Sequence, residues 1–255
     1  MARATFIILA VLGVATGVVF AADPALDLEV AAYFRDVAAR PQVAWLFPII
    51  TVVRDLGPLV ILATIGPASA SLAVKAFRPK GRTLVSSRGA LFLILSLVIG
   101  PGLLVNGVLK EGWGRARPGM VTEFGGDYAF TPWWDPRGTC DSNCSFVSGE
   151  TSAAVWMTAP AMLAPPPWRA AALGAALVYG VAMATMRLLA GGHFLSDVIF
   201  AGIFTGLVIW AVHGALYRWP FHPEDGAIDR TLERIGGGIT RWFRGTARCD
   251  DQPPV

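Results

Sequence analysis

The sequence predicts an all-α, polytopic membrane protein with about six transmembrane helices, accompanied by interfacial amphipathic helices. Three observations carry that prediction. Hydrophobic residues make up 54% of the 255 residues and charged residues only 15%, whereas a soluble domain carries about 25% charged residues. The mean hydropathy is +0.54, which places much of the chain in lipid. The apolar residues gather in runs of near-membrane length, separated by basic or polar loops. The net charge of +3 is small, and its distribution says more than its total. Nothing repeats at a fixed period.

Thr5–Ala22 is the first apolar run and is nearly long enough to cross a bilayer. It follows Arg3 and ends in Ala21-Ala22-Asp23-Pro24, so a cleaved signal peptide is the rival reading. The run exceeds the usual signal core of about 7–15 residues, which favours a retained helix. From Asp27 to Arg40, Leu26, Val30, Tyr33 and Val37 recur at helical spacing among Asp27, Glu29, Arg35 and Asp36. That pattern predicts an amphipathic helix at the membrane surface.

Gly57–Phe77 is the second span, softened by Gly66-Pro67. Lys75, Arg78, Lys80, Arg82 and Arg88 form a short basic loop, and Gly89–Leu109 is the third span. A long polar loop runs from Lys110 to about Glu150. The fourth span, Thr151–Ala164, is short and meets Pro165-Pro166-Pro167. Trp168–Met186 is the fifth span and Leu195–Tyr217 the sixth. Arg3, the Lys75–Arg88 cluster, Arg169 and the tail beyond Arg218 fall on one side, which the positive-inside rule makes cytoplasmic. The Lys110–Glu150 loop and the Arg187–Asp197 stretch then share the opposite compartment.

The chain divides into a single transmembrane domain, residues 1–220, and a cytoplasmic tail, residues 221–255. In the tail, Ile228, Leu232, Ile235, Ile239, Trp242 and Phe243 line one helical face, with Arg230, Arg234, Arg241 and Arg244 around it. Such a helix rests on an anionic leaflet, although Gly236-Gly237-Gly238 weakens it as a rigid element. A frayed terminus is the alternative.

Three outward-facing segments carry the polar chemistry. The first is Lys110-Glu111-Gly112-Trp113-Gly114-Arg115-Ala116-Arg117-Pro118, the second Ser145–Ser152, and the third Arg187–Asp197. In the third, His193 and Asp197 are four apart and share a face if helical. A carboxylate there can accept from one imidazole nitrogen and leave the other as a base or nucleophile. A helix cap with a surface ion pair is the other reading. Lys110, Arg117 and Arg187 supply cations, and the guanidinium forks suit phosphate. Ser148 and the Gly149 backbone, at a helix start, add hydrogen-bond donors and the helix dipole. Glu150 is a candidate proton donor.

These residues resemble the three-part signature of the type 2 phosphatidic acid phosphatase and vanadium haloperoxidase superfamily. Lys-x6-Arg-Pro, Ser-Gly and Arg-x5-His-x3-Asp follow in order between Lys110 and Asp197. The surrounding spans are similar to the integral-membrane lipid phosphatase branch. The resemblance implies metal-independent hydrolysis through a phosphohistidine, with no cofactor. By motif position, Lys110, Arg117, Ser148, Gly149 and Arg187 bind phosphate, His193 attacks phosphorus and Asp197 orients it. The sequence departs from the pattern twice. Pro-Ser-Gly-His is replaced by Val147-Ser148-Gly149-Glu150, and Ser-Arg by Met186-Arg187. The family's histidine protonates the leaving group. Glu150 can do so only if burial raises its pKa, and three nearby cations push the other way.

Cys140-Asp141-Ser142-Asn143-Cys144 allows a tight disulfide in an oxidising compartment, or else two free thiols. Cys249, in the tail, is expected reduced. Phe124-Gly125-Gly126 and Phe130-Thr131-Pro132-Trp133-Trp134 either anchor the loop at head-group level or frame a lipid entrance. The Phe-Gly-Gly and Asn-Cys-Ser-Phe-Val-Ser-Gly runs are similar to bacterial lipid A phosphatases. The expected protein is a lipid phosphatase of a bacterial inner membrane with its site facing the periplasm. Its partners are a membrane lipid and the bilayer, not nucleic acid, and no motif specifies an oligomeric state. Lipid A is the favoured substrate, with phosphatidylglycerol phosphate and undecaprenyl diphosphate as rivals. A lipid phosphotransferase and a non-catalytic lipid-binding membrane protein are the alternatives.

Overall fold

The computed structural model describes residues 2–224 and 226–249, with side chains from Arg3 to Trp242. Among the described residues every regular element is helical, and Val121 and Tyr128 form an isolated β-bridge. The elements are α1 (Ala2–Ala22), α2 (Ala25–Ala38), α3 (Leu46–Phe77), α4 (Ser87–Leu97), α5 (Lys110–Gly112), α6 (Gly149–Trp156), α7 (Thr158–Met162), α8 (Pro166–Leu189), α9 (Leu195–Tyr217) and α10 (Ala227–Cys249). A π-helical stretch, Val98–Leu109, joins α4 to α5.

Among the described residues five helices are long and apolar enough to cross a membrane, one fewer than expected. The missing span is the fourth. Pro160 lacks an N–H and its ring crowds the carbonyl four residues back, so the helix breaks at Met157 into α6 and α7. The eight and five residues of these pieces reach only about 21 Å with the residue between them, short of a hydrocarbon core of about 30 Å. Conversely, α3 begins at Leu46, well before the expected Gly57, and has 32 residues, about 48 Å of helix.

The chain forms two compact units. The first comprises residues up to Ile61 together with Leu95–Val212. Here α1 packs on α9, with the Phe6 and Trp210 rings 4.7 Å apart. Gly100 lies against Val208, where an added Cβ would stand 3.4 Å from the valine methyl. The loop between α5 and α6 is tied down rather than floating. Gly114 has φ +63° and packs against Gly138 so closely that neither tolerates a Cβ. Val121, Cys140, Cys144 and Phe194 form a small core with Ala31 of α2. Trp133 packs on Phe200 (4.5 Å between centroids) and lies against Gly17, which ties the loop to α9 and α1. Trp134 is exposed.

On α2, Tyr33 faces outward at 62% exposure, while Asp27 and Ala31 face inward. A buried ion pair between Asp27 and Arg115 fixes which side turns in.

The second unit comprises Leu62–Ile94 and the chain from His213 onward. Arg88 donates to the Pro223 carbonyl (2.7 Å) and stacks over Tyr217. α10 runs unbroken through its three glycines. Gly236 explains why: an added Cβ would collide with the Ala76 carbonyl oxygen, so this glycine is a helix-crossing point. Ile235, Ile239 and Trp242 are exposed along one face, as an interfacial helix requires. The side chains of Phe243, Arg244 and Cys249 lie outside the described residues.

Candidate active site

All three motif segments lie in the first unit, at helix ends. A cavity of about 660 Å³ is lined by Lys110 of α5, Gly149 and Glu150 of α6, and Asn106 of the π-helical stretch, among others. Asn106 donates to the Pro101 carbonyl (2.6 Å). It also presses on Gly149, where a Cβ would meet its side-chain oxygen at 2.7 Å. A larger residue at the first position of α6 would have to displace the Asn106 side chain. Ser148 is the N-cap of that helix and accepts from the Thr151 N–H (3.3 Å) and hydroxyl (2.9 Å). Its own O–H remains available to donate.

The cations are held from behind. Arg187 ends α8 and is buried, its guanidinium lying over Gly192 so closely that a Cβ there would collide with it. Arg117 donates to the carbonyl (3.0 Å) and side-chain oxygen (2.7 Å) of Asn143. Asn143 adopts φ +50° inside the loop closed by the Cys140–Cys144 disulfide, a conformation that asparagine tolerates better than most residues. The disulfide thus shapes the cradle of one cation. Burial lowers the Arg117 pKa and the like charge of Arg187 lowers it further, so the two guanidinium groups are close enough to repel until an anion joins them.

His193 sits in the loop before α9 rather than in a helical turn with Asp197. Its Nδ1 lies 2.7 Å from the Ser145 carbonyl oxygen. A carbonyl only accepts, so Nδ1 carries the proton and the neutral ring keeps its lone pair on Nε2. Burial pushes the imidazole pKa down, and the carboxylates of Glu150 and Asp197 only partly oppose it. The ring is therefore neutral at neutral pH. The direct His193–Asp197 bond expected from the spacing is not formed: the carboxylate oxygen lies 4.0 Å from Nδ1. Asp197 instead accepts from the Ser145 hydroxyl (2.5 Å), the Phe194 N–H (2.8 Å) and Arg115 (2.5 Å). It reaches the histidine through Ser145.

Glu150 lies between Arg187 and His193, 3.6 Å from Nη2 of one and 3.6 Å from Nε2 of the other. Both distances exceed a good hydrogen bond; the Arg187 contact is a charge attraction, whereas the neutral His193 ring brings no charge. Burial pushes the Glu150 carboxyl up, and the Arg187 guanidinium pulls it down, below the usual carboxylate value. Sequence alone leaves these effects in balance; the geometry makes the resting group a carboxylate. Glu150 Oε2 and His193 Nε2, 3.6 Å apart, are each buried without a hydrogen-bond partner, as is Nε of Arg187, whose Nη2 reaches the other Glu150 oxygen. Arg187 and His193 thus offer donors and a lone pair to a tetrahedral anion.

Sequence reasoning missed the support beneath this site. Arg115 is fully buried and pairs with Asp197 and with Asp27 of α2 (2.7 Å), while stacking over Phe194. Ser196 gives its N–H (2.9 Å) and hydroxyl (2.6 Å) to Asp27. Burial pushes the Asp27 carboxyl up, Arg115 opposes, and the like charge of Asp197 adds to the rise. The available signals were Asp27 one helical turn before the small Ala31, and a second arginine two residues before Arg117.

Helices of membrane-spanning length, a pocket lined by Lys110 and Glu150, and Arg187 and His193 each 3.6 Å from that glutamate define an integral-membrane protein with a polar, partly cationic site. Residues 89–221 match the model of the PAP2 superfamily, a range that contains all three motif segments. The chain belongs to this superfamily. It is 37% identical over 209 residues to a lipid A 4'-phosphatase of Francisella tularensis subsp. novicida, covering 76% of this chain and 88% of that one. It is similar to lipid A 4'-phosphatases of Rhizobium leguminosarum, at 37% identity over 61% of this chain and 67% of the relative, and of Rhizobium etli, at 40% over 52% and 51%. No solved structure matches the chain.

Proposed function

We propose that this protein is a lipid phosphatase that removes a phosphate from lipid A through a phosphohistidine on His193. The observation that carries the reading is the buried Nε2 of His193, a lone pair without a partner beside Arg187. The names of the relatives support the substrate. Residues 1–220 carry the catalytic domain and residues 221–255 the interfacial tail. The enzyme sits in a bacterial inner membrane, with the site on the periplasmic side that the basic loops of the sequence indicate.

In the first step Nε2 attacks phosphorus, the P–N bond forms, and the P–O bond to the lipid breaks. Arg187, Arg117, Lys110, the Ser148 hydroxyl and the amides at the start of α6 neutralise the phosphoryl oxygens. Water then attacks the phosphohistidine, releasing inorganic phosphate and the free imidazole. Purified protein in detergent should release phosphate from lipid A faster than from phosphatidylglycerol phosphate or undecaprenyl diphosphate. Vanadate should inhibit, because it mimics five-coordinate phosphorus. Turnover should persist in EDTA, since the residues at the site are cations and hydrogen-bond donors. A panel with no phosphate release from lipid A would remove the substrate reading, and absence of release from every lipid would favour a lipid-binding protein.

The leaving lipid oxygen needs a proton, and Glu150 is the group positioned to deliver it. Because the resting carboxyl is ionised, the proton must arrive with the substrate. A phosphomonoester has a second pKa of about 6, so its monoanion brings one proton into a site where a dianion would face the Glu150 charge. Glu150 shares that proton and passes it on. His193, pushed down by burial, remains neutral in the same range. Activity should therefore peak at mildly acidic pH and fall as the monoanion disappears. Glu150→Gln should lose about 10²–10⁴-fold on a lipid phosphomonoester and much less on an aryl phosphate, whose leaving group needs no proton. Glu150→His should shift the optimum towards neutral. Equal losses of Glu150→Gln on both substrates would make Glu150 a structural partner of Arg187.

A further inference from the structure

We propose that Arg54 and Asp55 of α3 form a subsite for the carbohydrate head group of the lipid substrate, an inference that rests on the lipid A reading above. Apart from Lys75 near its end, these are the only charged residues in α3. They line the same cavity as Lys110 and Glu150, and they pair with each other at 3.0 Å while remaining exposed, 48% and 61% at the side chain. A charged pair in a membrane helix marks a functional site by default.

Its depth fits a head group. The uncharged stretch from Leu56 through Val74 is by itself about 28 Å of helix, close to a hydrocarbon core, whereas the shorter apolar stretch before the pair, Leu46–Val53, is too short to cross one. Most of the excess helix, about 15 Å, lies on the Leu46 side. The pair therefore stands where acyl chains give way to polar head groups. From Arg54 to Ile61 the cavity follows α3 for about 10 Å, so a ligand whose phosphate reaches Glu150 extends along this wall. Beyond the pair the wall is apolar, with Pro58, Ile61, Met157 and Met183, as acyl chains require.

The chemistry of the pair selects the ligand. A second phosphate would meet the Asp55 carboxylate beside Arg54 and gain little. A diacylglycerol offers nothing for either charge. A sugar offers hydroxyls that donate to the carboxylate and accept from the guanidinium, and charge-assisted bonds of that kind are the strong ones.

The test compares wild type with Arg54→Ala and Asp55→Ala on lipid A and on phosphatidic acid, which shares the phosphate and acyl chains but has no sugar. KM for lipid A should rise about tenfold or more in each variant, with kcat unchanged and phosphatidic acid kinetics as in wild type. The unchanged arm also certifies folding. Equal KM increases on both lipids, or no change on either, would overturn the subsite. A second arm separates it from the parent reading: binding of fully dephosphorylated lipid A, measured by tryptophan fluorescence, should weaken about tenfold in the variants. Failure of wild type to hydrolyse lipid A removes the function reading, whereas equal or absent binding of the dephosphorylated glycolipid removes the carbohydrate subsite.

Discussion

His193→Ala should bring turnover down by roughly 10⁴–10⁶-fold while leaving the melting temperature in detergent within a few degrees of wild type. The ring is buried, but its hydrogen bonding is limited to Nδ1 and the Ser145 carbonyl, so its removal strands no charge. The direct measurement is alkaline-quenched labelling with phosphate-labelled lipid: wild type should carry alkali-stable, acid-labile label and the variant none. Label retained on His193→Ala protein would place the nucleophile elsewhere. The same geometry changes what Asp197→Asn should do. The carboxylate touches Ser145, Phe194 and Arg115 rather than the imidazole, so the variant loses activity through a displaced Ser145 carbonyl and the loss of one of the two carboxylates that hold Arg115. Ser145→Ala keeps the carbonyl and removes one hydroxyl; its cost should be about tenfold in kcat. A Ser145→Ala loss as deep as that of Asp197→Asn would show that the hydroxyl carries the whole orientation.

Arg115→Met should have the largest effect on stability. The guanidinium is the shared partner of two buried carboxylates, Asp27 and Asp197. Removing it leaves both without a counter-charge, and breaking a buried pair in this way costs about 3–5 kcal/mol. The expected result is a melting temperature lowered by many degrees, with activity lost in step. Asp27→Asn should cost far less, because burial already disfavours its charged form and an amide oxygen still accepts from Ser196 and Arg115. The double variant Arg115→Met, Asp27→Asn should recover part of the loss, since one of the stranded charges is gone. Arg115→Met protein as stable as wild type would show that the cluster does not hold α2 and α9 together.

Sequence by itself determined the helices and the cast of the site. Apolar runs of about twenty residues are a local property, so α1, α8 and α9 fall within a few residues of their expected bounds. Side-chain type and order, through the resemblance to the superfamily signature, pointed to Lys110, Arg117, Ser148, Gly149, Arg187 and His193 as candidates, and the fold places all of them in one compact unit. The disulfide between Cys140 and Cys144 was legible as one of two options, since a four-residue separation brings thiols within reach. The break at Pro160 was foreshadowed by the shortness of the fourth apolar run.

Only the tertiary structure decided how these groups are held. Asp27 meets Arg115 across 88 positions and Ser196 across 169, and no periodicity encodes a partner at that distance. That pairing, not hydropathy, sets which face of α2 is buried. The imidazole tautomer depends on a backbone carbonyl, Ser145, that carries no sequence signature at all. The ionisation of Glu150 depends on burial set against the charge of Arg187, a balance decided by distances of a few ångströms. Local pattern can name the contributors, but an electrostatic balance between buried groups is resolved only when the chain has brought them together.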